Sequence, residues 1–200
     1  RRKFVLSLLF FALSVYSYST AVFFVPLWLI TLTLLSRKRP SIISLLLMLV
    51  AVSPLIYHTV AGPARDRFGL LSIFNTTEVA RQINESRQFE SSSASSLWHN
   101  KVESYVRLLM GNYLRAYSSE FLFVRGDPTH RHSIQVIGQL LPISAPFLLL
   151  GLYWLVKKKQ YLWLSWLVLA PLPSIVTHDG GYHATRLFTA LPPLIISTGA

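Results

Sequence analysis

The nine residues Arg125-Gly-Asp-Pro-Thr-His-Arg-His-Ser133 concentrate arginine, histidine and aspartate in an otherwise apolar sequence. Side chains of these types bind anions: guanidinium groups fork onto phosphate or carboxylate oxygens, and imidazoles add further donors. Gly126-Asp127-Pro128 is turn chemistry, since Asp bonds nearby backbone, Pro fixes its own φ and Gly tolerates a positive one. Arg125, His130, Arg131 and His132 are therefore read as an anion-binding set aimed by the turn, with phosphate as the obvious anion. A structural reading stands beside it, in which Asp127 caps a turn and His132 or Ser133 opens the next helix. His130 and His132, with Asp127 nearby, also have the chemistry to ligate zinc. Alternate residues of an extended segment point to opposite sides, so that reading needs His178, Asp179 and His183 to converge on the same spot. A divalent metal is the less favoured reading, and no cofactor is assigned.

His183 and Arg186 stand one helical turn apart, which would place both on one face at the start of the last apolar run. Arg186 is a candidate for a bound phosphate, with a guanidinium that merely reaches lipid headgroups as the plainer alternative. Gly180-Gly181 would let that turn approach a ligand closely. Arg65 and Arg67, after Gly62-Pro63, are weaker candidates of the same kind. The sequence holds no Ser-His-Asp order, phosphate-binding Gly-rich loop, dinucleotide fingerprint or HExxH pair. A nucleotide-using mechanism has no support in it.

The elements that must carry these residues are constrained by composition. Of 200 residues 52% are hydrophobic and 14% charged, which points to an all-α polytopic membrane protein. The net charge of +11 does not imply nucleic acid. Much of it lies in Arg1-Arg2-Lys3, Arg37-Lys38-Arg39 and Lys157-Lys158-Lys159, each flanking an apolar run, so it reads as a topology signal. There is no cysteine, hence no disulfide and no thiolate chemistry.

Phe4 to Leu35 would reach about 48 Å as one helix against about 30 Å of hydrocarbon. Tyr16-Ser-Tyr-Ser-Thr20 interrupts it, and Pro26 should break or kink its second half, so a hairpin is expected, with one long tilted helix as the alternative. A third span is expected over Ser41–Tyr57. Residues 58–132 form a polar loop holding an amphipathic interfacial helix, where Trp98, Val102, Tyr105, Val106, Leu109, Met110, Tyr113 and Leu114 recur at helical spacing. Further spans are expected over Ile134–Val156, Tyr161–Thr177 and Leu187–Ala200. Three regions result: 1–57, a transmembrane hairpin and one helix; 58–132, the loop; and 133–200, transmembrane helices, all within a longer chain. The positive-inside rule puts the basic triplets in the cytoplasm and residues 58–132 and 178–186 outside it, in a prokaryotic plasma membrane.

An ordered set of short motifs adds a family resemblance. Tyr16-Ser-Tyr-Ser and Phe23-Phe-Val-Pro26, Ala64-Arg65, Ser72-Ile-Phe74, Ser119-Glu-Phe-Leu-Phe123, Gly126-Asp-Pro128, Arg131-His-Ser133, Pro146-Phe-Leu148 with Gly151, and His183-Ala-Thr-Arg186 with Pro192 succeed one another along the chain. Together they resemble prokaryotic GT-C glycosyltransferases, a group similar to dolichyl-phosphate-mannose:protein mannosyltransferases and the lipid A aminoarabinose transferase. The resemblance runs from about residue 4 to the end. It implies many transmembrane helices, a polyprenyl-phosphate-linked sugar as donor, and transfer outside the cytoplasm to a protein, lipid or glycan acceptor. It also implies a catalytic acid in a loop upstream of Arg1, so neither Asp127 nor Asp179 is read as the base. Arg186, Arg131 and Arg125 are the candidates for the donor phosphate, with His183, His132, His130 and Asp127 for supporting or sugar contacts. Proline-kinked helices would frame a groove for the isoprenoid tail. Val22 departs from the pattern, which leads one to expect a basic residue after Ala21. The alternative class is a polytopic transporter or flippase of lipid-linked substrates.

Overall fold

Hydroxyl and aromatic residues interrupt the first apolar run, and the chain breaks there. In the computed structural model of the protein, α1 (Arg2–Ser17) and α2 (Ser19–Ser36) are separated by Tyr18 alone and pack against each other. The structure describes residues 2–36, 46, 49–50, 52–55, 57, 61–62, 72–75, 101–177 and 180–199. The basic triplet at 37–39, most of the expected span over 41–57, Arg65 and Arg67, residues 76–100, and His178 and Asp179 lie outside the described residues. Pro26 does not break α2, which continues to Ser36. A proline there forfeits one backbone hydrogen bond to the preceding turn.

The expected bundle of membrane-spanning helices is corrected by the lengths of the elements. No helix among the described residues is long and apolar enough to cross a membrane. The longest, α2, has 18 residues, about 27 Å at helical rise against about 30 Å of hydrocarbon. The multi-pass plasma-membrane location and the sidedness assigned to residues 58–132 and 178–186 fall with that expectation. Apolar run length misleads here because backbone geometry divides the runs that lie among the described residues. Over 134–141, Gln135 takes a positive φ of 58°. Gly138 lies so close to the backbone of Leu122 and Phe123 that a Cβ would sit 2.3 Å from the Phe123 nitrogen. Pro142 then opens a 3-10 turn, and helix begins only at Ala145. The expected 134–156 span is thus reduced to α4 (Ala145–Lys157).

Of the elements between, α3 (Lys101–Ala116) is succeeded by a π-helical turn at Glu120–Val124. After α4, Lys159 takes a positive φ of 52° and α5 (Tyr161–Leu169) returns. Pro171 and Pro173 limit α6 to Leu172–Ile175. A 3-10 turn, Phe188–Ala190, leads into α7 (Leu191–Gly199).

The core forms where α2 meets α5 and the 188–190 turn. Trp28 and Trp166 rings stand 4.6 Å apart, with Phe24 at 5.6 Å from Trp166. The indole of Trp166 donates to the Thr189 carbonyl, and the Thr189 hydroxyl donates to the Ala170 carbonyl. Helices α4 and α7 cross closely: a Cβ on Gly151 would fall 1.5 Å from the Ser197 carbonyl oxygen. On α3 the buried side is not the apolar one. Val102, Val106, Met110 and Leu114, at i, i+4 spacing, are exposed, whereas Asn112 is buried and donates to the Ile175 and Thr177 carbonyls. Ser72 pairs with Thr177 in an isolated antiparallel bridge beside this contact.

Candidate functional site

The π-helical turn sets the geometry of the 125–133 motif. The Glu120 carbonyl accepts from the amides of Arg125 (2.8 Å) and Gly126 (3.2 Å), and Gly126 then takes a φ of +74°, open to glycine at little cost. The reversal turns Asp127 inward, where it is 1% exposed. Its Oδ1 accepts the Thr129 amide at 2.8 Å, closing a local turn. Its Oδ2 accepts the Ala184 amide, also at 2.8 Å, from a residue 57 positions away. One carboxylate thus joins the 125–133 motif to the 183–186 turn.

His132 and His183 meet at this joint. Their ring centroids are 4.9 Å apart. His132 Nδ1 lies 3.3 Å from Asp127 Oδ2, yet this buried nitrogen makes no hydrogen bond. Thr185 Oγ1 lies 3.0 Å from His183 Nδ1 and accepts the Tyr18 hydroxyl at 2.8 Å. Burial opposes the negative charge of Asp127. The Ala184 and Thr129 amides, the Thr129 hydroxyl and the charge of His183 outweigh it and hold the carboxyl below the usual carboxylate range. A carboxylate held this way is a poor proton acceptor, and its role here is to fix neighbours.

The other sequence candidates are placed differently. Arg125 is exposed and lies 3.6 Å from Glu120, and His130 and Arg131 are exposed on the same turn. None of the three enters the Asp127 cluster through a described contact. Arg186 donates from Nη1 to Thr177 Oγ1 at 2.6 Å, and the 183–187 backbone is a turn, not the first turn of a helix. Gly180 and Gly181 approach protein, not open space. A Cβ at Gly180 would lie 2.0 Å from the Ser174 oxygen, and one at Gly181 would lie 2.7 Å from Arg115 Cβ. The convergence of Asp127, His132 and His183 places one donor atom of each within 4.8 Å of the others.

Beside the cluster lies an apolar cavity of about 760 Å³, between α1, α2 and residues 185–192. Phe10, Phe11, Phe24 and Phe188 line it, and Tyr18 and Thr185 bring hydroxyls to its wall. Thr185 and Tyr18 fall within the motifs His183-Ala-Thr-Arg186 and Tyr16-Ser-Tyr-Ser, but the sequence assigns neither a role, since a hydroxyl in such a motif is too common to single out. The chain matches no family model, no curated protein and no solved structure.

Proposed function

We propose that the chain belongs to a glycosyltransferase that takes its sugar from a polyprenyl-phosphate donor. One observation carries this reading: an apolar cavity and a polar cluster share a wall. Thr185 lines the cavity and is hydrogen-bonded to His183, which stands against His132 and Asp127. A cavity of about 760 Å³ is of ligand size. An isoprenoid tail suits the phenylalanine-lined part, and its phosphate suits the hydroxyl and imidazole side, with Arg186 next in sequence to Thr185. Arginine and imidazole donors would stabilise the polyprenyl phosphate as the sugar departs. Asp127 ties together the two backbone turns that carry the imidazoles, and the base that deprotonates the acceptor is assigned to no residue of this chain.

A photoreactive polyprenyl phosphate tests the reading. Its crosslinks are expected on α1, α2 and Phe188, and Ser14→Trp, which fills the cavity, should abolish them. Arg186→Ala should slow release of polyprenyl phosphate from a labelled donor with the helical signal unchanged. Crosslinks scattered over exposed apolar surface and insensitive to Ser14→Trp would refute the cavity as donor site. Undiminished release would remove Arg186 from it.

A further inference from the structure

We propose that Asp127, His132 and His183 form a binding site for one divalent transition-metal ion of the zinc type. The proposal rests on their geometry alone and stands apart from the glycosyl-transfer reading. Two imidazoles and one carboxylate are the donor set of three-ligand zinc centres, which keep at least one position for water or an anionic oxygen. Such borderline nitrogen and oxygen donors favour zinc or its neighbours over magnesium and calcium, which take oxygen ligands.

The spacing fits an ion better than it fits a hydrogen bond. Two ligands at ordinary zinc distances and a tetrahedral angle stand about 3.3 Å apart. His132 Nδ1 and Asp127 Oδ2 are 3.3 Å apart, and the ring is turned so that no hydrogen bond joins them. A buried ring nitrogen without a hydrogen bond needs explaining, because leaving it so costs about 1–3 kcal/mol. A shared cation removes that cost. Asp127 Oδ2 accepts only the Ala184 amide among the described hydrogen bonds, and a carboxylate oxygen has two lone pairs, so it can ligate while keeping that bond. The outer contacts are those that orient metal ligands: amides on both carboxylate oxygens, and Thr185 Oγ1 on Nδ1 of His183. All three donor atoms already lie within 4.8 Å of one another, so small side-chain rotations bring them to one centre.

The test uses tag-free protein, since a polyhistidine tag would itself bind the ion. Titration with Co²⁺ should give one saturable site with the visible bands of a tetrahedral ion, displaced by Zn²⁺. X-ray absorption of the Zn²⁺-loaded wild type should show two imidazoles. His132→Ala and His183→Ala should each weaken binding by more than about tenfold, the lower end of the effect of even outer-shell changes. His130→Ala, on the same turn but exposed, should leave it unchanged. Because the spectroscopy on wild type needs no variant, misfolding of either histidine variant leaves the test intact. Absence of saturable Co²⁺ binding, fewer than two imidazoles on bound zinc, or dependence on His130 would each overturn the assignment.

Discussion

Replacing Asp127 by Ala tests the joint between the two halves of the candidate site. The side chain is 1% exposed, and its oxygens accept two amides, Thr129 and Ala184, each at 2.8 Å. Truncation leaves both N–H groups without that acceptor, Ala184 in a half-buried position and Thr129 in an exposed one. The half-buried donor costs about 1–3 kcal/mol and the exposed bond about 0.5–1.5 kcal/mol, so the loss should be about 1.5–4.5 kcal/mol. A chain of this size shifts its melting temperature by roughly 2–4 °C per kcal/mol. The centre of the range, about 3 kcal/mol, thus corresponds to about 6–12 °C. Asp127→Asn, which keeps one acceptor oxygen, should lie between wild type and Ala. Urea denaturation monitored by circular dichroism, with chelator present so that no metal contributes, measures all three. An Ala variant within about 0.5 kcal/mol of wild type, the range of ordinary surface changes, would refute the account of Asp127 as a buried clamp.

Two further outcomes rest on packing. Gly151→Ala should destabilise by at least the 1–3 kcal/mol or so of ordinary overpacking, because the added methyl meets the Ser197 carbonyl at 1.5 Å and forces α4 and α7 apart. A thermal melt within error of wild type would show that the helices do not cross there. Asn112→Ala should cost about 1–3 kcal/mol, measured in the same urea titration, because the Ile175 and Thr177 carbonyls lose their shared donor. Exchange protection of the Thr177 segment should fall in parallel, and unchanged protection would detach α3 from that contact.

Some of this was legible in the chain. Hydroxyls and aromatics at 16–20 mark the break between α1 and α2, and the three- and four-residue spacing after Trp98 marks α3. Which side of α3 is buried was not legible. Periodicity ranks residues by hydrophobicity, and it cannot foresee that Asn112 finds two carbonyls while Val102 and Leu114 stay outside. Run length predicted membrane spans for a similar reason. A count of apolar residues does not register the positive φ at Gln135 or the tight contact at Gly138, which keep 134–141 from being helix. Within the site, His132 and His183 stood out by residue type, but their meeting depends on Asp127 bonding Ala184 across 57 residues. Nothing in local spacing encodes a contact of that range. Arg186 stood out equally, but its bond to a hydroxyl nine residues back, Thr177, is not one that spacing singles out.

That 57-residue tie also orders events during folding. Closing a loop of this length costs about 3.6 kcal/mol in its length-dependent chain entropy alone, more than one hydrogen bond returns. The Asp127–Ala184 bond therefore cannot lead. It forms after α4, α5 and α6, all of which lie between its ends, have packed and shortened the effective loop. The two imidazoles accordingly become neighbours late, and any probe that senses their pairing reports completion of the segment between them.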